Sequence, residues 1–236
     1  MGMGKIGAYY QCYKREEALL FVMENYRSIY TDSDSVLVCD GGNDYSSVAQ
    51  KYGFIYFYKE KVRTEKNLIF NDLSGITEFI LRLKEGINFI NAEFFIMLED
   101  DVYVMKKTRL EDLSFDINGC NFQENIGESV IKLIEKYNPG IGNKKFPIGG
   151  CGGSILRTSF FKEILEAESL TSDIREYCNL VPKDLWASDR LLTYLCYKNK
   201  GTVGNYEGFC ETWHNDYNKR NLDGTIEVLH QYKEKY

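Results

Sequence analysis

The apolar residues of this chain follow two alternating rhythms. Short runs in which nearly every residue is apolar suit strands covered on both faces. Between them lie stretches whose apolar residues recur every three or four positions, the spacing of a helix with one buried stripe. The first run, Lys5 to Tyr13, predicts a strand, and Leu19, Leu20, Val22, Met23 and Tyr26 predict a helix over Glu16 to Ile29. Ser35-Val36-Leu37-Val38-Cys39 predicts a second strand that stops on Asp40-Gly41-Gly42-Asn43-Asp44, where glycine permits a tight turn. A short helix from Tyr45 to Tyr52, closed by Gly53, and a third strand from Phe54 to Tyr58 come next. Leu73, Ile76, Ile80, Leu83, Ile87 and Ile90 then mark out the clearest amphipathic helix.

The next run stands apart. Phe94-Phe95-Ile96-Met97-Leu98 leads straight into Glu99-Asp100-Asp101, and the apolar pattern resumes at Val102-Tyr103-Val104. Strands alternating with helices predict a mostly parallel sheet flanked by helices, an α/β fold. In such sheets ligands bind beyond the carboxyl ends of the strands. Adjacent carboxylates raise one another's pKa unless a cation or donors compensate. A strand tipped with three acids therefore predicts a hard divalent cation, Mn²⁺ or Mg²⁺, held together with something anionic. The competing reading is a solvated acidic turn.

The second half is less regular. Residues 105 to 125 hold no firm period and read as a loop or short hairpin. Helices are expected over Ile126 to Tyr137, Ser159 to Glu166 and Asp184 to Tyr197, with an apolar strand after Gly149-Gly150-Cys151-Gly152-Gly153. The tail from Tyr206 carries Trp213-His214 and a final helix or strand. No repeat, linker or low-complexity tract divides the chain, so one domain is expected, with a regular half over about 5–104 and a less regular half over about 105–236.

Composition narrows the partners. A formal charge of −6 in 236 residues argues against a nucleic-acid backbone or an anionic membrane surface. The seven cysteines are odd in number, scattered and free of CxxC pairs, which disfavours a zinc cluster or a disulfide framework. Cys12, Cys39 and Cys196 lie in apolar patterns and read as core residues. No run is long and apolar enough for a membrane span or a secretory leader, so a cytoplasmic protein is expected.

Other residues join the acids as candidates. Asp40, at the end of the second strand, falls on the same sheet edge and can accept hydrogen bonds from a base or ribose, or serve only the turn. The glycines at 149–153 fit neither a dinucleotide nor a Walker pattern; they read as a close approach of backbone to ligand or as a bulged strand entry. Leu185, Asp189, Leu192 and Cys196 share a helix face, which puts the Asp189 carboxyl among apolar groups. Burial raises a carboxyl pKa and suits a general base; pairing with Arg190 is the plainer account. Lys59, Lys61, Arg63 and Lys66 form a charged cluster that either assists phosphates or is simply solvated. His214 reads equally as a structural histidine.

Together, Cys39-Asp40-Gly41-Gly42-Asn43-Asp44, Leu98-Glu99-Asp100-Asp101-Val102, the glycine stretch and Ala187-Ser188-Asp189 resemble the stations of nucleotide-sugar glycosyltransferases of the GT-A fold. They are also similar to small glycosyltransferases of large DNA viruses, which would place the protein in a host cytoplasm. The resemblance implies that Glu99-Asp100-Asp101 is the EDD form of the DxD motif, with Asp101 on the metal and Glu99 and Asp100 on the nucleotide or orienting the site. It further implies base contact by Asp40 and donor contact by Gln11, Lys66, Gly150 and Gly152. Asp189 would be the catalytic base of an inverting enzyme, and His214 would complete the metal shell. Ser188 stands where many members carry Glu, leaving Asp189 the only acid in that motif. The implied activity is transfer from a nucleoside diphosphate sugar, UDP-linked by expectation, to a glycan or glycoconjugate hydroxyl. A sugar-phosphate nucleotidyltransferase would want glycine after the first strand, where Tyr10-Gln11-Cys12-Tyr13-Lys14 stands instead. A binding module of the same fold without turnover is the remaining alternative.

Overall fold

The computed structural model describes residues 6–60, 70, 72–123, 127–139 and 146–233. The first half folds close to its pattern: β1 (Ile6–Cys12), α1 (Glu16–Ile29), β2 (Ser35–Asp40), α2 (Ser46–Tyr52), β3 (Ile55–Lys59), α3 (Leu73–Ile87) and β4 (Phe94–Leu98). The second half contributes β5 (Tyr103–Val104), β6 (Ile117–Asn118), β7 (Cys120–Gln123), α4 (Glu128–Tyr137), β8 (Phe146–Gly149), β9 (Ile155–Arg157), α5 (Thr158–Glu166), α6 (Leu170–Leu180), α7 (Ser188–Lys198), β10 (Val203–Gly204), β11 (Phe209–Glu211), α8 (Tyr217–Leu222) and β12 (Val228–His230).

A seven-stranded sheet runs β10-β6-β9-β4-β1-β2-β3. Its β4-β1-β2-β3 half is parallel, β9 is antiparallel to both β4 and β6, and β10 is parallel to β6. Successive side chains of a strand point to opposite faces, and the core divides accordingly. Phe95 and Met97 of β4 pack with α3, α4, α5, α6 and α7, whereas Phe94, Ile96 and Leu98 pack with α1 and α2 on the other face. Both faces being covered explains why these strands read as unbroken apolar runs. The long helix is fastened at its start by Asp72, whose carboxylate accepts from the Gly75 backbone N–H. It sits close on the sheet because Gly86 faces the Tyr9 ring, where a Cβ would come within 2.7 Å.

Two local expectations are corrected and one element is added. The helix expected over Asp184 to Tyr197 divides into a 3₁₀ turn at Lys183–Leu185 and α7 from Ser188; the backbone between them is extended, and the Trp186 indole N–H bonds the Val181 carbonyl. A helix not foreseen, α6, buries only Asp173, Ile174 and Tyr177, a stripe too thin to register as a period. The stretch from 105 to 125 supplies β6 to the main sheet, a strand of two residues, too short to show alternation.

A small sheet of order β11-β12-β5 lies beside the main one. Its Val104, Phe209 and Val228 join the α1 face of the core. Phe21, Tyr103 and Tyr232 stack there with centroids 4.9–6.2 Å apart. Among the described residues no helix is long and apolar enough to cross a membrane.

Candidate functional site

The sheet topology assembles the site. As β4 ends at Leu98 the chain turns through Glu99-Asp100-Asp101, with the Val102 N–H bonded to the Glu99 carbonyl at 3.2 Å. Because β9 runs antiparallel to β4, its entry lies at the same edge: the Gly153 N–H bonds the Met97 carbonyl at 2.7 Å. β12 runs antiparallel to β5, with Val228 opposite Val104 and Leu229 opposite Tyr103, and so travels back toward the acid turn. It delivers His230 there, and the Tyr232 N–H closes on the Asp101 carbonyl at 2.9 Å.

The acids do not share one direction. Asp100 turns toward β1 and α1, accepting from the Tyr10 hydroxyl at 2.9 Å with Arg15 at 3.7 Å. Glu99 and Asp101 turn the other way, onto the His230 Nε2 at 3.7 and 3.5 Å. One ligand atom from each of Glu99, Asp101 and His230 lies within 4.8 Å of the others. Carboxylates suit hard cations and an imidazole suits borderline ones, so these residues together fit a hard-to-borderline divalent cation, Mn²⁺ more readily than Mg²⁺.

Electrostatics agree with the crowding. Burial raises the Glu99 and Asp100 carboxyls above their usual range. Burial acts on Asp101 in the same direction, but His230 and Lys233 outweigh it and leave Asp101 lowered. Burial disfavours a charged His230, yet Asp101, Cys151, Glu211 and Glu99 together raise it well above an ordinary histidine. These acids favour a proton on the ring when no cation neutralises them.

His214 is elsewhere. Its Nδ1 accepts from the Glu211 N–H at 3.2 Å and meets the Cys210 Sγ at 3.6 Å, and Cys210, His214 and Asp216 form a separate group. The imidazole beside Asp101 is that of His230, a residue the sequence reading had not placed there.

The other candidates divide. Asp189 lies half-buried in the first turn of α7, Oδ1 accepting from the Arg190 N–H at 2.7 Å. Burial raises its pKa, and it is close enough to feel the charge of His230 and to raise Glu99. α7 is tied to this edge by Thr193, whose hydroxyl accepts from the Gly149 N–H at 2.9 Å. Gly150 packs on α7, a Cβ there meeting Leu192 at 3.0 Å; Gly152 approaches His230 and Val102, each at 2.9 Å from a would-be Cβ.

Asp40 is 1% exposed. It is ion-paired with Arg82 of α3 and accepts from the Gln11 side chain at 3.0 Å, while Gln11 in turn accepts from the Tyr9 hydroxyl. Asp40 and Gln11 therefore belong to a buried polar network under the sheet edge. Lys66 and Arg63 lie outside the described residues. The described lysine beside the acids is Lys233, 3.6 Å from Asp101. With Lys14, Arg15, Glu16, Glu17, Ala18 and Leu20 it lines a groove of about 850 Å³.

Sequence reasoning missed His230, Glu211, Lys233 and Arg82 as parts of this region. A signal existed for His230 in the short apolar run Val228-Leu229 that stops on it, as the longer run stops on Glu99.

This architecture, a mostly parallel sheet with the acid turn beyond its central strand, is the GT-A fold of nucleotide-sugar glycosyltransferases. Among solved structures, galactosyltransferase LgtC in complex with donor and acceptor sugar analogues superposes with a TM-score of 0.56 at 15% identity, covering 96% of this chain and 87% of that one. An active-site mutant of LgtC gives 0.55 at 14% identity with the same coverage. At such identity the likeness is one of fold. No protein-family model and no curated protein matches the chain.

Proposed function

We propose that the protein is a metal-dependent glycosyltransferase that moves a sugar from a nucleoside diphosphate sugar, UDP-linked by expectation, to a hydroxyl of a glycan or glycoconjugate. The observation that carries this reading is the convergence of Glu99, Asp101 and His230 at the carboxyl edge of a GT-A sheet, with Asp189 beside them. Asp101, Glu99 and His230 would hold the cation, Mn²⁺ or Mg²⁺. When bound, it supplies charge neutralisation to the leaving diphosphate, the largest electrostatic demand of such a transfer.

The chain's own residues have separable tasks. Lys233 and Arg15 line the groove next to the acids and attract the anionic donor. Asp100, fastened by Tyr10, holds the turn so that Asp101 faces His230. Asp189, its carboxyl raised by burial, takes the acceptor proton as direct displacement with inversion requires. Gly152 lets the loop close against His230 without a side chain between them.

Thermal stabilisation by a panel of nucleoside diphosphates and their sugars, with and without Mn²⁺, tests the class and the base together. Metal-dependent stabilisation by one nucleotide, with slow hydrolysis of its sugar, is expected, and both are lost in Asp101→Ala. Full metal-dependent turnover in that variant overturns the assignment. A product of retained anomeric configuration removes Asp189 as base and leaves the transferase reading standing.

A further inference from the structure

His230 has two ring nitrogens, and the structure treats them differently. Its Nε2 faces Glu99 and Asp101. Its Nδ1 lies 2.8 Å from Oε1 of Glu211, a residue 1% exposed. The pairing is built into the fold, because β11 and β12 run parallel with Glu211 directly opposite His230. An ionised carboxylate only accepts hydrogen bonds, so the nitrogen facing Glu211 carries the proton. A cation between Glu99 and Asp101 would take the place of the proton on Nε2 and use that lone pair. The ring is confined further by Gly152, whose backbone leaves no room for a Cβ against Cδ2 and Nε2.

We infer that Glu211 is a positioning residue: its buried carboxylate fixes the tautomer and plane of His230 so that Nε2 completes a cation site with Glu99 and Asp101. This rests on the cation site of the proposed function and adds to it a residue that touches neither cation nor donor. Partners of this kind raise the basicity of a ligating imidazole and hold it in place; removing one typically weakens metal affinity about 10- to 100-fold. The same ring also borders a wholly buried trio, Cys151, Glu211 and His230. The inference therefore makes a directional claim: the cation sits on the Nε2 side of the ring, not on the Nδ1 side that Glu211 occupies.

The test is a calorimetric Mn²⁺ titration of the full chain, native and with Glu211→Leu or Glu211→Gln, each checked for folding by thermal melting. Glu211→Leu is expected to bind Mn²⁺ about 10- to 100-fold more weakly. Glu211→Gln keeps an acceptor oxygen and is expected to recover part of the loss; it also carries the test if the leucine variant does not fold. Nitrogen-15 NMR of the imidazole, in a His214→Asn background with diamagnetic Zn²⁺, is expected to show Nδ1 protonated and Nε2 metal-bound.

Native affinity in folded Glu211→Leu overturns the inference and leaves the transferase reading intact. So does Co²⁺ bound with a thiolate charge-transfer band that disappears in Cys151→Ser, since the ion would then be held by the buried trio and not by Glu99 and Asp101. If the native chain binds no divalent cation, the site itself falls and the inference with it.

Discussion

Replacing Gly152 by alanine tests the site through sterics alone. No left-handed backbone angle is required at this glycine, so alanine brings no intrinsic strain. The new Cβ would stand 2.9 Å from the His230 Cδ2, 2.9 Å from its Nε2 and 2.9 Å from the Val102 Cγ2. Ordinary contact starts at 3.4 Å, so the ring or the loop must give by about half an ångström. The ring cannot retreat freely, because Glu211 holds its far edge at 2.8 Å. Metal–ligand distances tolerate only about 0.2 Å, so the shift exceeds what a bound cation accepts. Overpacking of this kind costs roughly 1–3 kcal/mol. For a chain of this size that corresponds to a fall in Tm on the order of 2–12 °C. Mn²⁺ affinity is expected to fall about tenfold or more.

Gly53→Ala is the control. Its Cβ would meet nothing within 4 Å, but its φ of +65° makes alanine cost about 1–2 kcal/mol. Both variants should melt earlier, and only Gly152→Ala should lose cation affinity in titration calorimetry. A folded Gly152→Ala that binds Mn²⁺ as the native chain does would refute the argument that this close approach sets the position of His230.

The remaining predictions concern the histidines, the base and an ion-pair hub. His230→Ala should abolish measurable Mn²⁺ binding while His214→Ala leaves it within about twofold, and the reverse ranking would restore His214 as the ligand. Asp189→Asn should slow transfer about 10²- to 10⁴-fold with Mn²⁺ affinity kept. The native rate should climb as pH rises through the raised carboxyl pKa, since the base must be ionised. Glu176 bridges α4, α6 and α7. Burial pushes its carboxyl up, but hydrogen bonds from Lys136, Lys198, Tyr137 and Tyr194 hold it well below the usual range. Its contribution, about 1 kcal/mol after solvent screening, is therefore present above its unfolded pKa of 4.5 and lost as pH falls below that. Chemical denaturation should show Glu176→Gln with a flatter loss of stability below pH 4.5; an acid limb as steep as the native one would count against the hub.

The sequence by itself determined the elements of the first half and the acid turn. Their information is local: Phe94 to Leu98 is apolar throughout because the strand is covered on both faces, and the run stops where the sheet edge begins. Asp189 was less legible: Leu185, whose spacing suggested a shared helix face, lies in a separate 3₁₀ turn, and Asp189 stands half-buried in the first turn of α7. Strand direction and register lay beyond the sequence. Only the antiparallel pairing of β12 with β5 brings His230 to Asp101 across more than a hundred residues, while His214, nearer in sequence to the other stations, is held away in the turn after β11. Asp40 shows the same limit: its position at a strand end was readable, but its burial against Arg82 depends on how α3 packs over β1 and β2. Periodicity reports which face of an element is covered, because burial acts on each element separately. Which side chains meet at an edge is set by pairing between elements distant in the chain, and that was settled only when the sheets formed.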